Sequence, residues 1–230
     1  MNKVILAISA HPDDIEFGCG GTMFKFKEKG YKIFLIVATN GENGFKIGHK
    51  SRKDRIKIRY KEQKEAAKIL GIEKVFFLHY RDGYLRNDEK LRDNIAGIIK
   101  QVKPEIIVSF DPAYHAFKNI NLNHRDHRAI AEAGFDAVFA ARNRYMLPGK
   151  PHIVKQFYFY ITEKPNHYEN ITKYIDKKIE LVSQHRSQYY DIDTMKDWIK
   201  SHLSSYTKKF KYSEQFRIVN IMPPFKGIKQ

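Results

Sequence analysis

Apolar residues fall in short branched runs, separated by longer stretches in which apolar positions recur every three or four residues. Residues 4–8, 32–39, 75–78, 106–110 and 157–160 are such runs. Each is too short for a buried helix and rich in Val, Ile and Phe, so each predicts a strand. Helical spacing predicts helices over 23–29, 59–70, 91–103 and 129–142, and another within 168–190. Gly30 and Gly71 supply stops for the first two, and Pro104 follows the third. Residues 45–58 are crowded with Lys and Arg and read as a loop running into a helix. The tail through Trp198 and Phe216 is too mixed to assign beyond some helix. Four rounds of strand then helix predict a doubly wound α/β sandwich around a mostly parallel sheet. Nothing resembling a linker interrupts the pattern, so residues 1–230 are expected to form one domain, with 150–230 adding helix and strand to it.

Polar residues gather where the strands end. After the first run come Ala10-His11-Pro12-Asp13-Asp14 and, further on, Gly18, Gly20 and Gly21. In open α/β sheets the carboxyl ends of the strands are where ligands bind. His11 and Asp14 are three residues apart, so one turn of chain can aim both at a common point, and imidazole and carboxylate are normal zinc ligands. Asp13 between them projects elsewhere and leaves a free carboxylate beside a bound metal. The plainer reading is an aspartate capping a helix after a proline turn. A second cluster, His124-Arg125-Asp126-His127-Arg128, tips the balance. It opens a helix beyond the fourth strand, at the same sheet edge, and adds a third ligand and a spare histidine. Three protein ligands with an open position for water are the form of a catalytic zinc site.

Composition narrows the partners. Lys+Arg 42 against Asp+Glu 26 gives a net charge of +16, which raises the question of nucleic acid or an anionic membrane. The lysines are scattered rather than blocked together, so no specific nucleic acid is expected and an anionic substrate suits the balance better. One cysteine, Cys19, excludes an internal disulfide framework and fits a cytoplasmic location. No apolar run is long enough to span a bilayer. Aromatic enrichment toward the C-terminus would suit a homo-oligomer interface. His49, His79, His115, His152, His167 and His202 fall in no spacing that helps the site, and Asp82-Gly83 reads as a turn.

The order of these pieces resembles the PIG-L/LmbE family of zinc-dependent N-acetylglucosaminyl deacetylases. Beside the two clusters, the matching pieces are Thr39-Asn40-Gly41-Glu42, Arg59 with Glu62, Ala66-Ala67 and Leu70-Gly71, Asp82-Gly83 with Leu85, and Lys178 with His185-Arg186-Ser187-Gln188. The resemblance implies a Rossmann-like three-layer sandwich with its active site at the C-terminal ends of the strands. It implies Zn2+ held by His11, Asp14 and His127, with Asp13 as general base. His124 would be the electrophilic histidine, oriented by Asp126, and Arg59 and Asn40 would meet the sugar, with Glu62 partnering Arg59. The substrate would be a small amino-sugar conjugate. Arg125 stands where the family has proline, and the loop with His115, Phe117 and Lys118 looks individual; both border the expected sugar site. Tyr114 and the C-terminal tyrosines are candidates for an oxyanion contact. Two rivals stand beside it: a phosphoesterase or another amidohydrolase using the same ligands and drawing on Asp111 and Glu42 for a second ion, and a non-catalytic basic sugar- or nucleic-acid-binding module, which leaves the paired His/Asp motifs unexplained.

Overall fold

The computed structural model describes residues 3–46, 48–114 and 120–221; His115, Phe117 and Lys118 lie outside them. Strands β1 (Val4–Ser9), β2 (Lys32–Thr39), β3 (Lys74–Tyr80), β4 (Ile106–Phe110), β5 (Gln156–Tyr160), β6 (His167–Asn170) and β7 (Ser213–Asn220) make one sheet, ordered β3-β2-β1-β4-β5-β7-β6. The first five strands run parallel, β7 is antiparallel to β5, and β6 is antiparallel to β7. Every residue of β1 and β4 is buried. Central parallel strands covered on both faces have no solvent side, which is why they read as continuous apolar runs rather than alternating ones.

Among the described residues, six α-helices complete the sandwich: α1 (Asp14–Glu28), α2 (Arg52–Leu70), α3 (Glu89–Val102), α4 (Arg125–Arg142), α5 (Ile175–Val182) and α6 (Ile192–Ser205). Helix α1 packs against α2 and α5, and α3 packs against α4. The expected α/β sandwich is therefore the observed fold.

Three regions depart from the sequence reading. Helix α2 begins at Arg52, seven residues before the expected start at Arg59, because Ser51 caps it by accepting the Asp54 N–H at 3.1 Å. The first two turns carry few apolar residues, so periodicity misses them. The C-terminal tail, too mixed to assign by pattern, yields both α6, capped by Asp191, and the strand β7. Helix α1 begins at Asp14 rather than Met23 and breaks stride at Cys19, whose φ is −153° and ψ 20°. The break frees backbone groups that a buried ion pair collects. Glu214 of β7 accepts the N–H groups of Gly21 and Thr22 at 3.0 and 2.7 Å. Lys178 of α5 donates to the Phe17 carbonyl at 2.5 Å and to Glu214 at 2.6 Å. This pair ties the first helix of the chain to its last strand.

Candidate metal centre and active site

Strand β1 has β2 on one side and β4 on the other, so the winding reverses between β1 and β4. A crevice opens at such a switch point beyond the strand ends. His11 follows β1 and enters it; His124 and His127 enter it from the first turn of α4, which follows β4. Asp14 folds back over its own turn, its Oδ2 accepting the N–H groups of Ala10 and His11 at 2.9 and 2.7 Å. That leaves Oδ1 facing His127 Nε2 at 3.3 Å. His11 Nδ1 lies 3.1 Å from His127 Nε2 and 3.7 Å from Asp14 Oδ2. Donors about 2.0–2.1 Å from a tetrahedral zinc lie roughly 3.3 Å from each other. The two imidazoles meet at that spacing, while Asp14 approaches each through a different oxygen, Oδ1 toward His127 and Oδ2, at 3.7 Å, toward His11.

The opposite nitrogens of the two rings are also held. His127 Nδ1 donates to the Leu122 carbonyl at 3.1 Å, and its ring stacks on Phe110 at 4.2 Å between centroids. His11 Nε2 faces Asp82 Oδ1 at 3.2 Å and Asp126 Oδ2 at 3.3 Å. Metal-bound imidazoles characteristically donate their other N–H to a carbonyl or carboxylate in this way, which fixes ring and tautomer. Among the described residues, two groups bring donor atoms within 4.8 Å of one another: His11, His124 and His127, and His11, Asp82 and Asp126. His11 belongs to both. Asp82 does stand in a turn, where Gly83 adopts φ 82°, yet its carboxylate is buried and committed to His11 and to the Asn43 N–H at 2.9 Å. Its place after β3, at the same edge as Asn40, was the signal that could have found it.

Asp126 does more than the sequence suggested, and for a different ring. Its carboxylate accepts from the N–H groups of Gly83 at 2.6 Å and Leu85 at 3.0 Å while facing His11. It meets His124 through its backbone, whose N–H donates to His124 Nδ1 at 3.2 Å. An accepting Nδ1 places the neutral ring's proton on Nε2. Arg59 is only 1% exposed and faces Asp13 rather than open solvent. Its Nη2 donates to the Pro12 carbonyl and lies 3.1 Å from Asp13 Oδ2. Gly41 covers it so closely that a Cβ there would stand 2.9 Å from Arg59 Nε. Glu62 sits 3.9 Å from Arg59 Nη1 and accepts from Ser187 N and Oγ at 2.8 and 2.7 Å, joining α2 to the turn after α5. Asn40 bonds internally, its side-chain amide meeting Glu42. Tyr114 lines a narrow cleft with Leu122 and His127. The carboxylates a second ion would need are otherwise engaged, Glu42 by Arg52 and Arg81, and Asp111 by Arg217 and Thr162.

The electrostatics divide the adjacent aspartates. Burial raises Asp13, the neighbouring Asp14 adds to the rise, and the Arg59 guanidinium opposes it without cancelling it. Burial raises Asp14 too, but the imidazoles of His127 and His11 outweigh that and hold it below the usual carboxylate range. For His11, burial disfavours the cation, yet Asp126, Asp14 and Asp82 overcome this and push its pKa well up. The cluster thus favours a positive charge at its centre, as a cation site must. Burial pushes His124 down, with His11 acting in the same direction.

Comparison with known proteins gives the family. The chain is 31% identical over 193 residues, 81% of its length and 70% of the relative's, to diacetylchitobiose deacetylase of Thermococcus kodakarensis. It is 28% identical, over 80% of its length and 81% of the relative's, to a probable N-acetyl-alpha-D-glucosaminyl L-malate deacetylase 2 of Bacillus anthracis. Its fold superposes on N,N'-diacetylchitobiose deacetylase from Pyrococcus horikoshii with a TM-score of 0.87 and 26% identity, covering 97% of this chain and 88% of that one. Residues 6–138, the segment from β1 into α4 that carries both histidine clusters, match the family described as PIG-L, GlcNAc-PI de-N-acetylase. The chain belongs to the PIG-L family of deacetylases.

Proposed function

We propose that this protein hydrolyses the acetamide of a small N-acetylglucosamine conjugate, releasing acetate and the free amino sugar, with a divalent ion held by His11, Asp14 and His127. One observation carries the reading: a carboxylate, Asp13, stands beside His11, Asp14 and His127, is not one of them, and is held by the Arg59 guanidinium. Two histidines and a carboxylate suit zinc. When bound, the ion supplies Lewis acidity, polarising the amide carbonyl and lowering the pKa of a water to about 7.

Asp13 takes the proton of the attacking water and returns it to the departing amine, which an amide's poor leaving group requires. His124 donates from Nε2 to the oxygen of the tetrahedral intermediate. Because Nδ1 accepts the Asp126 N–H, a neutral ring performs this task, and no charge on His124 is needed. Arg59 holds Asp13 from behind, while Asp82 and Asp126 orient His11. The net charge of +16 favours an anionic group on the far side of the sugar.

Acetate release with zinc supplied, from diacetylchitobiose, N-acetylglucosaminyl malate and N-acetylglucosaminyl inositol, tests the reading. Release from any of them by the wild type and not by Asp13→Ala is expected. Hydrolysis of phosphate esters by a protein silent on every acetamide would overturn it.

A further inference from the structure

Asp13 is a non-glycine residue at φ 102° and ψ −22°. L-residues rarely adopt that backbone, and it persists only where surrounding contacts enforce it. Two side chains one turn apart on α2 grip the peptide that joins Pro12 to Asp13. Arg59 Nη2 takes its carbonyl, and Gln63 Oε1 accepts its N–H at 3.1 Å. Residues i and i+4 share a helix face, so both reach the same peptide plane from one rigid element.

Gln63 is itself held. It is 1% exposed, and its Nε2 donates to Glu16 Oε1 at 2.7 Å. Glu16 is fully buried, and His185 Nε2 stands 3.7 Å from its other oxygen. A carboxylate in that place takes only the NH₂ end of the amide, so Glu16 turns the oxygen of Gln63 toward Asp13. Both are buried, and among the described residues no hydrogen bond joins either side chain to His11, Asp14 or His127.

We propose that Gln63 is a positioning residue for the reaction: oriented by Glu16, it closes with Arg59 a clamp on the Pro12–Asp13 peptide that aims the Asp13 carboxylate. The clamp rests on the reading of Asp13 as general base. It leaves the metal donors alone, because Asp14 is held by its own bonds to Ala10 and His11.

The test combines kinetics with amide exchange. Gln63→Leu keeps the size and removes both bonds. It should lower kcat by about 10²-fold, the scale of a misplaced catalytic group, while KM and bound zinc stay as in the wild type. Exchange of the Asp13 amide hydrogen should quicken. A second pair of variants covers a failure of Gln63→Leu to fold. Gln63→Glu sets two carboxylates against each other and should lose activity; Glu16→Gln combined with Gln63→Glu restores donor to acceptor, keeps an oxygen on the Asp13 N–H, and should recover most of the loss. Wild-type kcat in Gln63→Leu, or a swap no better than Gln63→Glu alone, would overturn the clamp. If Asp13→Asn keeps its turnover, or no acetamide is hydrolysed, the functional reading fails instead. The Asp13 amide exchange then decides the clamp by itself: unchanged exchange in Gln63→Leu refutes it.

Discussion

Replacing Asp82 with alanine should cost metal affinity without removing a proposed metal ligand. Asp82 Oδ1 is one of two carboxylate oxygens facing His11 Nε2, at 3.2 Å. The other, Asp126 Oδ2, lies at 3.3 Å and already accepts the Gly83 N–H at 2.6 Å. Asp126 therefore cannot swing fully to His11 when its partner is gone without abandoning Gly83. Loss of such an outer partner typically weakens binding 10–100-fold, or about 1.4–2.7 kcal/mol. Asp82→Asn keeps an oxygen in place and removes only the charge, so its loss should be smaller. Competition against a chromophoric chelator at fixed pH would measure the zinc dissociation constant of wild type and both variants. Because Asp82 also accepts the Asn43 N–H at 2.9 Å, the thermal midpoint of the metal-free proteins separates unfolding from lost affinity. A dissociation constant for Asp82→Ala equal to that of the wild type would refute the view that Asp82 supports the centre.

Asp13→Asn should lower kcat by about 10²–10⁴-fold, the range of general acid–base catalysis, with bound metal unchanged; turnover near that of the wild type would remove Asp13 as base. The base works unprotonated and its pKa is raised, so acidification should cut kcat/KM while the pH is still above the ordinary aspartate range of about 4. An acid limb at or below that value in a pH–rate profile would contradict it. Lys178→Met leaves the fully buried Glu214 carboxylate with only the Gly21 and Thr22 N–H groups and no counter-charge, and should destabilise the fold by about 3 kcal/mol, read by urea denaturation. A change under about 1 kcal/mol would mean the pair at the kink is not needed. Gly18→Ala would bring a Cβ to 2.5 Å from the Tyr160 ring, which is itself buried against Phe110, so the ring cannot retreat. Overpacking of that kind costs about 1–3 kcal/mol, and an unchanged thermal midpoint would show that the ring gives way.

The legible parts of the sequence are those whose signal is local. Residues 4–8 and 106–110 announce buried strands because almost nothing polar interrupts them. Gly71, at φ 70°, ends α2 where a glycine stop is expected. His11, Asp14, His124 and His127 converge because short turns place each just beyond a strand at the switch point. What stays hidden depends on contacts across the fold. Residues 52–58 look like a basic loop because the helix they start is held by a serine cap rather than an apolar face. Gln63 reads as an ordinary helix residue, and Glu16 as part of the turn before a helix, until α1 and α2 are laid together. The resemblance assigns Arg59 to the sugar, but its burial beneath Gly41 is a matter of the fold that the sequence does not reveal. Lys178 and Glu214 become meaningful only with the kink at Cys19, which no propensity announces.

His11 and His127 are 116 residues apart, yet they meet because Ile5 pairs with Ile106 across β1 and β4. The proposed ion, bridging them, would close a loop of half the chain, as a disulfide would, but reversibly. The donor set does not exist until those two strands have paired, so the unfolded chain offers the ion no comparable site. Mass action then makes the ion a staple: at a free concentration 100 times its dissociation constant it adds about 2.7 kcal/mol to the folded state. Metal supply would govern the lifetime of the folded chain as well as its turnover, and a chelator would loosen the joint between its two halves.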